Sequence, residues 1–180
     1  MTPAESGERI GLIQVYTGSG KGKTTAALGL ALRAAGRGMR TYIAQFLKGT
    51  RYGELEAVKL LAPYVMLEQH GLAGWAKAGS VTSEQRAAAE AGLARAREAL
   101  LSGEYDILVL DEVNVAIDLG VLSQDQVLGL IALKPPQVEL VLTGREAPQS
   151  ILDRADLVTE MREVRHPFHR GIPARAGIEF

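Results

Sequence analysis

The segment Thr17-Gly18-Ser19-Gly20-Lys21-Gly22-Lys23-Thr24-Thr25 constrains this chain more than any other. It lies between a short, apolar, β-rich run, Gly11 to Tyr16, and the stretch Lys23 to Gly36, in which Ala and Leu recur at helical spacing. A strand that turns through glycines into a helix aims backbone N–H groups and the positive end of the helix dipole at one point, which suits an anion. Lys23 would neutralise phosphate charge, and the Thr24 hydroxyl is placed to ligate magnesium. The usual phosphate-loop pattern, G-x-x-x-x-G-K-[ST], asks for Gly at position 17, where this chain has Thr17 followed by Gly18. The alternative is a Gly-rich turn with no ligand; the clustering of Gly18, Gly20, Gly22, Lys21 and Lys23 weighs toward phosphate.

The rest of the chain repeats the alternation of strand and helix. Met39 to Phe46 reads as a second strand, Gly53 to Leu61 as a short helix and Val65 to Leu67 as a strand, followed by a long loop from Gln69 to Val81 that carries Trp75. Thr82 with Gln85 is a capping box opening a helix from Ser83 to about Leu101. Strands at Tyr105 to Leu110, Val138 to Leu142 and Leu157 to Val164 alternate with helices at about Ser123 to Ala132 and Pro148 to Ala155. This order predicts an α/β fold in one domain spanning 1–180, with a mostly parallel sheet, helices on both faces, and tails at 1–10 and 165–180.

Ile107 to Leu110 delivers Asp111 and Glu112 at its carboxyl end, the end at which open α/β sheets bind ligands. One carboxylate would hold magnesium, directly or through water; alternatively Asp111 caps the next helix and Glu112 is a solvated charge. Arg145, in Thr143-Gly144-Arg145, follows the next strand and could reach a phosphate or the ribose, or be a surface charge.

Composition narrows the classes. Lys and Arg number 20 against 21 Asp and Glu, a net charge of −1, so no global basic field collects nucleic acid or coats a membrane. With no cysteine there is no disulfide, thiolate metal site or thiol nucleophile. Met1 to Ile10 does not resemble a secretory signal and no run is long enough to span a bilayer, so a cytoplasmic location is expected. His166 and His169, and the basic series Arg162, Arg165, Arg170 and Arg175, read as chemistry of a solvated tail.

Together these segments resemble the P-loop type of corrinoid adenosyltransferase, the cob(I)alamin adenosyltransferase family. The resemblance rests on Tyr16 to Ala27, Gln45 to Thr50 with Gly53-Glu54, Val109 to Glu112, Thr143 to Arg145, Ile151 to Asp156, and the ending Val164 to His166 through Gly177 to Phe180. The shortened TGxGKGKTT loop belongs to that family's pattern. The resemblance implies a RecA-like P-loop fold that transfers the adenosyl group of ATP to Co(I) of a reduced corrinoid and releases tripolyphosphate. It places the triphosphate on Gly18, Ser19, Gly20, Lys21, Gly22, Lys23, Thr24 and Thr25, magnesium on Thr24 and Glu112, and the nucleotide on Arg145. Lys21 and Lys23 would stabilise charge on the leaving group. Trp75 stands where the family has a Phe-x-Trp element for the corrinoid, with Ala73 in place of the Phe. A reduced flavoprotein as electron donor and a homodimer are implied as partners. A small kinase or NTPase releasing ADP, and a nucleotide-gated binding protein without turnover, are the competing readings.

Overall fold

The chain is described here by a computed structural model over residues 9–49, 52–72 and 79–180. Among these residues there are six strands: β1 (Ile13–Thr17), β2 (Thr41–Phe46), β3 (Val65–His70), β4 (Ile107–Asp111), β5 (Glu139–Thr143) and β6 (Leu157–Glu160). They lie in the order β3-β2-β4-β5-β1-β6, with every neighbouring pair parallel. Between them run helices α1 (Lys23–Ala35), α2 (Gly53–Ala57), α3 (Ser83–Leu101), α4 (Val113–Asp118), α5 (Gln124–Ala132) and α6 (Gln149–Leu152).

The central strands β2 and β4 are buried at every residue, as a parallel sheet covered on both faces requires. Because side chains alternate across a strand, the sheet divides the core in two. Tyr42, Phe46, Leu108, Leu110, Leu140 and Leu142 face α3, α4 and α5, whereas Ile43, Val109 and Val141 face Ala27, Ala31 and Ala34 of α1. Each fully buried leucine contributes about 1.5–3 kcal/mol of transfer free energy. The alanine face lets α1 lie close to the sheet, which sets its N-terminus beside the carboxyl ends of β1 and β4. All the carboxyl ends share one edge because every strand is parallel.

Helix starts follow the local chemistry. The capping box of Thr82 and Gln85 forms as expected, and a second joins Ser123 to Gln126 at α5.

Several boundaries differ from the sequence reading. The third strand continues to His70, so Gln69 and His70 are not loop: Glu68, Gln69 and His70 pair in register with Ala44, Gln45 and Phe46. Their polar side chains hid the strand, and each finds a neighbour, Tyr42 for Glu68, Gln45 for Gln69 and Phe46 for His70. β6 stops at Glu160 rather than Val164, because the Met161 carbonyl turns to accept from Gly20 N–H at 2.6 Å. Gly53 to Leu61 is two pieces, α2 and a 3-10 turn at Val58–Leu61, and the helix expected to reach Ala155 is the single turn of α6. Among the described residues no helix is long and apolar enough to cross a membrane.

Candidate active site

The turn after β1 is pressed against the chain leaving β6. Gly18 has φ +91°, and a Cβ there would lie 2.6 Å from the Met161 carbonyl oxygen; one on Gly20 would lie 2.7 Å from the same atom. Only glycine fits either position. The loop therefore runs backbone against backbone into α1, whose first residue is Lys23. The Lys23 side chain folds back and donates to the carbonyls of Gly18 at 2.6 Å and Gly20 at 2.7 Å. Burial lowers its pKa, while the charges of Glu112 and Asp111 pull the other way. Ser19 and Thr25 are exposed, as is Lys21, and Thr24 is half-buried.

Thr24, one residue further into α1, meets the end of β4. Its hydroxyl donates to Asp111 Oδ1 at 2.9 Å, and the buried Thr143 hydroxyl donates to the same oxygen at 2.7 Å. Gln45 Nε2 at 3.1 Å and Lys48 Nζ at 3.2 Å donate to Asp111 Oδ2. Asp111 is 1 % exposed, so its charge is held by four donors rather than by water. Glu112 follows in the left-handed region, φ 61°, with its N–H donating to Thr143 Oγ1 at 3.0 Å. It caps α4 by position only, without a side-chain capping bond. Burial, and then the neighbouring Asp111 charge, raise its pKa against the opposing charges of Lys48, Lys23 and Arg145.

The sequence-derived residues thus converge, with differences. Gly18, Gly20, Lys23, Thr24, Asp111 and Glu112 share one edge of the sheet. Arg145 is exposed at the end of β5, close enough for its charge to act on both Lys23 and Glu112. Lys21 is engaged elsewhere, donating at 2.9 Å to Glu179 Oε1 and at 2.9 Å to the Ile178 carbonyl. This contact ties the end of the tail to the loop, while residues 171–178 are exposed as expected of a solvated tail. Arg175 pairs with Glu179 within the tail itself. His169 pairs with Glu163 and His166 Nδ1 accepts from the Phe168 N–H, so the two histidines serve the tail's own turn. Trp75 and Ala73 lie outside the described residues.

Two participants were missed as individuals. Lys48 and Gln45 are contributed by β2 and the turn after it, and periodicity gives no reason to send polar side chains from a buried strand toward Asp111. The signal that could have found Gln45 is a lone amide inside an otherwise apolar buried strand, which needs a polar partner.

The oxygens that can face a cation are the Thr24 hydroxyl and the Glu112 carboxylate, with Asp111, already accepting from four donors, behind Thr24. Among the described residues no group of three or more His, Cys, Asp or Glu is arranged as a metal cage. Few hard oxygen ligands, with the remaining positions left for phosphate and water, fit magnesium rather than zinc or calcium. Because Thr24 directs its proton at Asp111, its lone pairs stay free to face a cation.

A parallel α/β sheet with a glycine loop entering a helix that starts Lys-Thr-Thr, and an acidic strand end beside it, defines a P-loop-type domain. The profile of the family described as ATP:corrinoid adenosyltransferase BtuR/CobO/CobP matches residues 9–180, and the chain belongs to that family. It is similar to the corrinoid adenosyltransferase of Pseudomonas aeruginosa, with 36% identity over 98% of this chain and 87% of that protein. The corrinoid adenosyltransferase CobA of Salmonella typhimurium is 35% identical over 98% of this chain and 89% of that one. An uncharacterized protein of Nostoc sp. is 41% identical over 87% of this chain, which spans only 45% of its length. The chain is thus an enzyme of the corrinoid adenosyltransferase class, one that adenosylates a corrinoid.

Proposed function

We propose that the enzyme transfers the 5′-deoxyadenosyl group of ATP to the Co(I) of a reduced corrinoid and releases tripolyphosphate. One observation carries the reading: the Lys23-Thr24 pair that opens α1 lies against the carboxylate end of β4, with Thr24 bonded to Asp111 across 87 residues of chain.

In this reading the loop from Gly18 to Thr25 binds the triphosphate. Lys23 exchanges the carbonyls of Gly18 and Gly20 for phosphate oxygens, and Lys21 adds a second positive charge. Thr24 and Glu112 hold magnesium, with Asp111 orienting Thr24. Arg145 contacts the nucleotide, and Trp75 the corrinoid. Bound magnesium supplies charge neutralisation on the triphosphate. The electron pair of Co(I) forms the Co–C bond to C5′ as the C5′–O bond breaks and its pair leaves on tripolyphosphate. No proton moves, so no general base is needed, and the protein's work is to align C5′ and stabilise the leaving charge. The nucleophile reaches Co(I) by one electron from a reduced flavoprotein, and the working form is a homodimer in the cytoplasm.

Incubation with ATP, magnesium and chemically reduced cobalamin tests the reading by absorbance. A light-sensitive alkylcobalamin spectrum that depends on Lys23 is expected; an unchanged cobalamin spectrum, or full activity in Lys23→Ala, contradicts it.

A further inference from the structure

Lys48 is held in place more firmly than a surface lysine needs to be. Leu47, just before it, has φ 61°, a left-handed conformation that a leucine adopts only when its surroundings impose it. Those surroundings are a close backbone crossing: a Cβ on Gly71 would lie 2.6 Å from Leu47 C and Lys48 N, and one on Gly49 would lie 2.6 Å from Leu72 C. The turn aims a lysine side chain that is 14 % exposed at two carboxylates, its Nζ lying 3.2 Å from Asp111 Oδ2 and 3.4 Å from Glu54 Oε1.

With Lys48 in place every acceptor direction of Asp111 is used, Oδ1 by two hydroxyls and Oδ2 by Gln45 and Lys48. We infer that Lys48 is the positioning residue of the magnesium site: it saturates Asp111, reserves it to orient Thr24, and denies it to a free divalent ion. The cation then enters only with the nucleotide, whose phosphates supply the ligands that Thr24 and Glu112 lack. Lys48 is therefore no ligand itself. This rests on the magnesium reading above.

Manganese(II) alone, followed by electron paramagnetic resonance with and without ATP, tests both layers separately. In the unaltered protein, nucleotide-free Mn²⁺ binding is expected to be weak, and ATP should bring one tightly held ion. Lys48→Met, which removes the charge beside Asp111, should raise nucleotide-free Mn²⁺ affinity by about tenfold or more. Lys48→Arg should not. Lys48→Leu, which also removes both the charge and the donor to Asp111, takes the place of Lys48→Met if that variant does not fold, and should also gain affinity. A merely structural lysine would change the melting temperature of these variants but not their Mn²⁺ affinity. Equal nucleotide-free affinity in the unaltered protein and in the folded neutral variant, or tight Mn²⁺ binding by the unaltered protein without ATP, overturns the inference. If ATP brings no Mn²⁺ to the unaltered protein, the magnesium reading itself fails.

Discussion

The ammonium of Lys21, in the glycine loop, lies 2.9 Å from Oε1 of Glu179, so the loop is tied by an ion pair to a segment 158 residues away. Glu179 also accepts from Arg175 N at 2.8 Å, Nε at 3.2 Å and Nη2 at 3.0 Å. Arg175, then Lys21, hold its carboxyl down to about 2, from an ordinary 4.5. Because the folded value is depressed, the tie is fully present above about pH 4.5 and is lost as pH falls toward 2. At neutral pH, Glu179 and a phosphate would compete for Lys21. Glu179→Gln is expected to speed amide exchange in 175–180 and to tighten ATP binding about twofold to fivefold, the range of an exposed pair. Weaker ATP binding in that variant would mean that Glu179 supports the phosphate site instead.

Glycines 20 and 29 make opposite predictions. Gly20→Ala drives a Cβ to 2.7 Å from the Met161 carbonyl, backbone that cannot step aside, and should cost about 1–3 kcal/mol while displacing the loop. Gly29 lies within α1 with nothing within 4 Å of its missing Cβ, so Gly29→Ala should stabilise by about 0.4–1 kcal/mol. Urea titration of both variants, with ATP affinity measured alongside, checks the contrast.

Thr143 is wholly buried, and its hydroxyl joins the Asp111 carboxylate to the Glu112 N–H. Thr143→Val keeps the shape, leaves the Glu112 N–H without this acceptor and takes one of four donors from Asp111, so unfolding free energy should fall by about 1–3 kcal/mol. Thr143→Ser should retain most of it. Equal losses in the two variants would point to the methyl group rather than the bridge.

His70 gives the fold an acid-side slope. Its ring fills the space left by Gly92, where a Cβ would stand 2.5 Å from ring carbon, and burial lowers its pKa despite Glu68 at 3.6 Å, with the Arg95 charge also lowering it. The unfolded chain then takes up the proton first. Stability should be full above the ordinary value of 6.5 and fall as pH drops from there to the lowered folded value. His70→Phe, which keeps the ring against Phe46, should flatten that part of the pH–stability profile measured by thermal unfolding.

The alternation of strands and helices was legible because β2, β4 and β5 bury both faces and each holds an unbroken run of at least three apolar residues, Tyr42 to Ala44, Ile107 to Leu110 and Leu140 to Leu142. Legible too were the loop and the acidic pair, since each announces itself by residue type at the end of a strand. What stayed hidden has a common cause. Lys48 meets Asp111 through a clamped left-handed turn, and Lys21 meets Glu179 across almost the whole chain, relationships created by tertiary approach and not by local spacing. β3 runs past its apolar residues because an edge strand can carry Glu68, Gln69 and His70 while still pairing along β2. β6 ends early because Gly20 takes the Met161 carbonyl, a contact that nothing in the local sequence shows.

The central claim is that the bond broken lies between C5′ and the triphosphate. Phosphorus NMR of the products formed from ATP and a chemically reduced corrinoid tests it most directly. Tripolyphosphate, formed in equal amount to the new cobalt–carbon bond, is the expected result. ADP with orthophosphate as the only phosphorus products would show that a phosphoryl bond is cleaved instead, and would contradict the account.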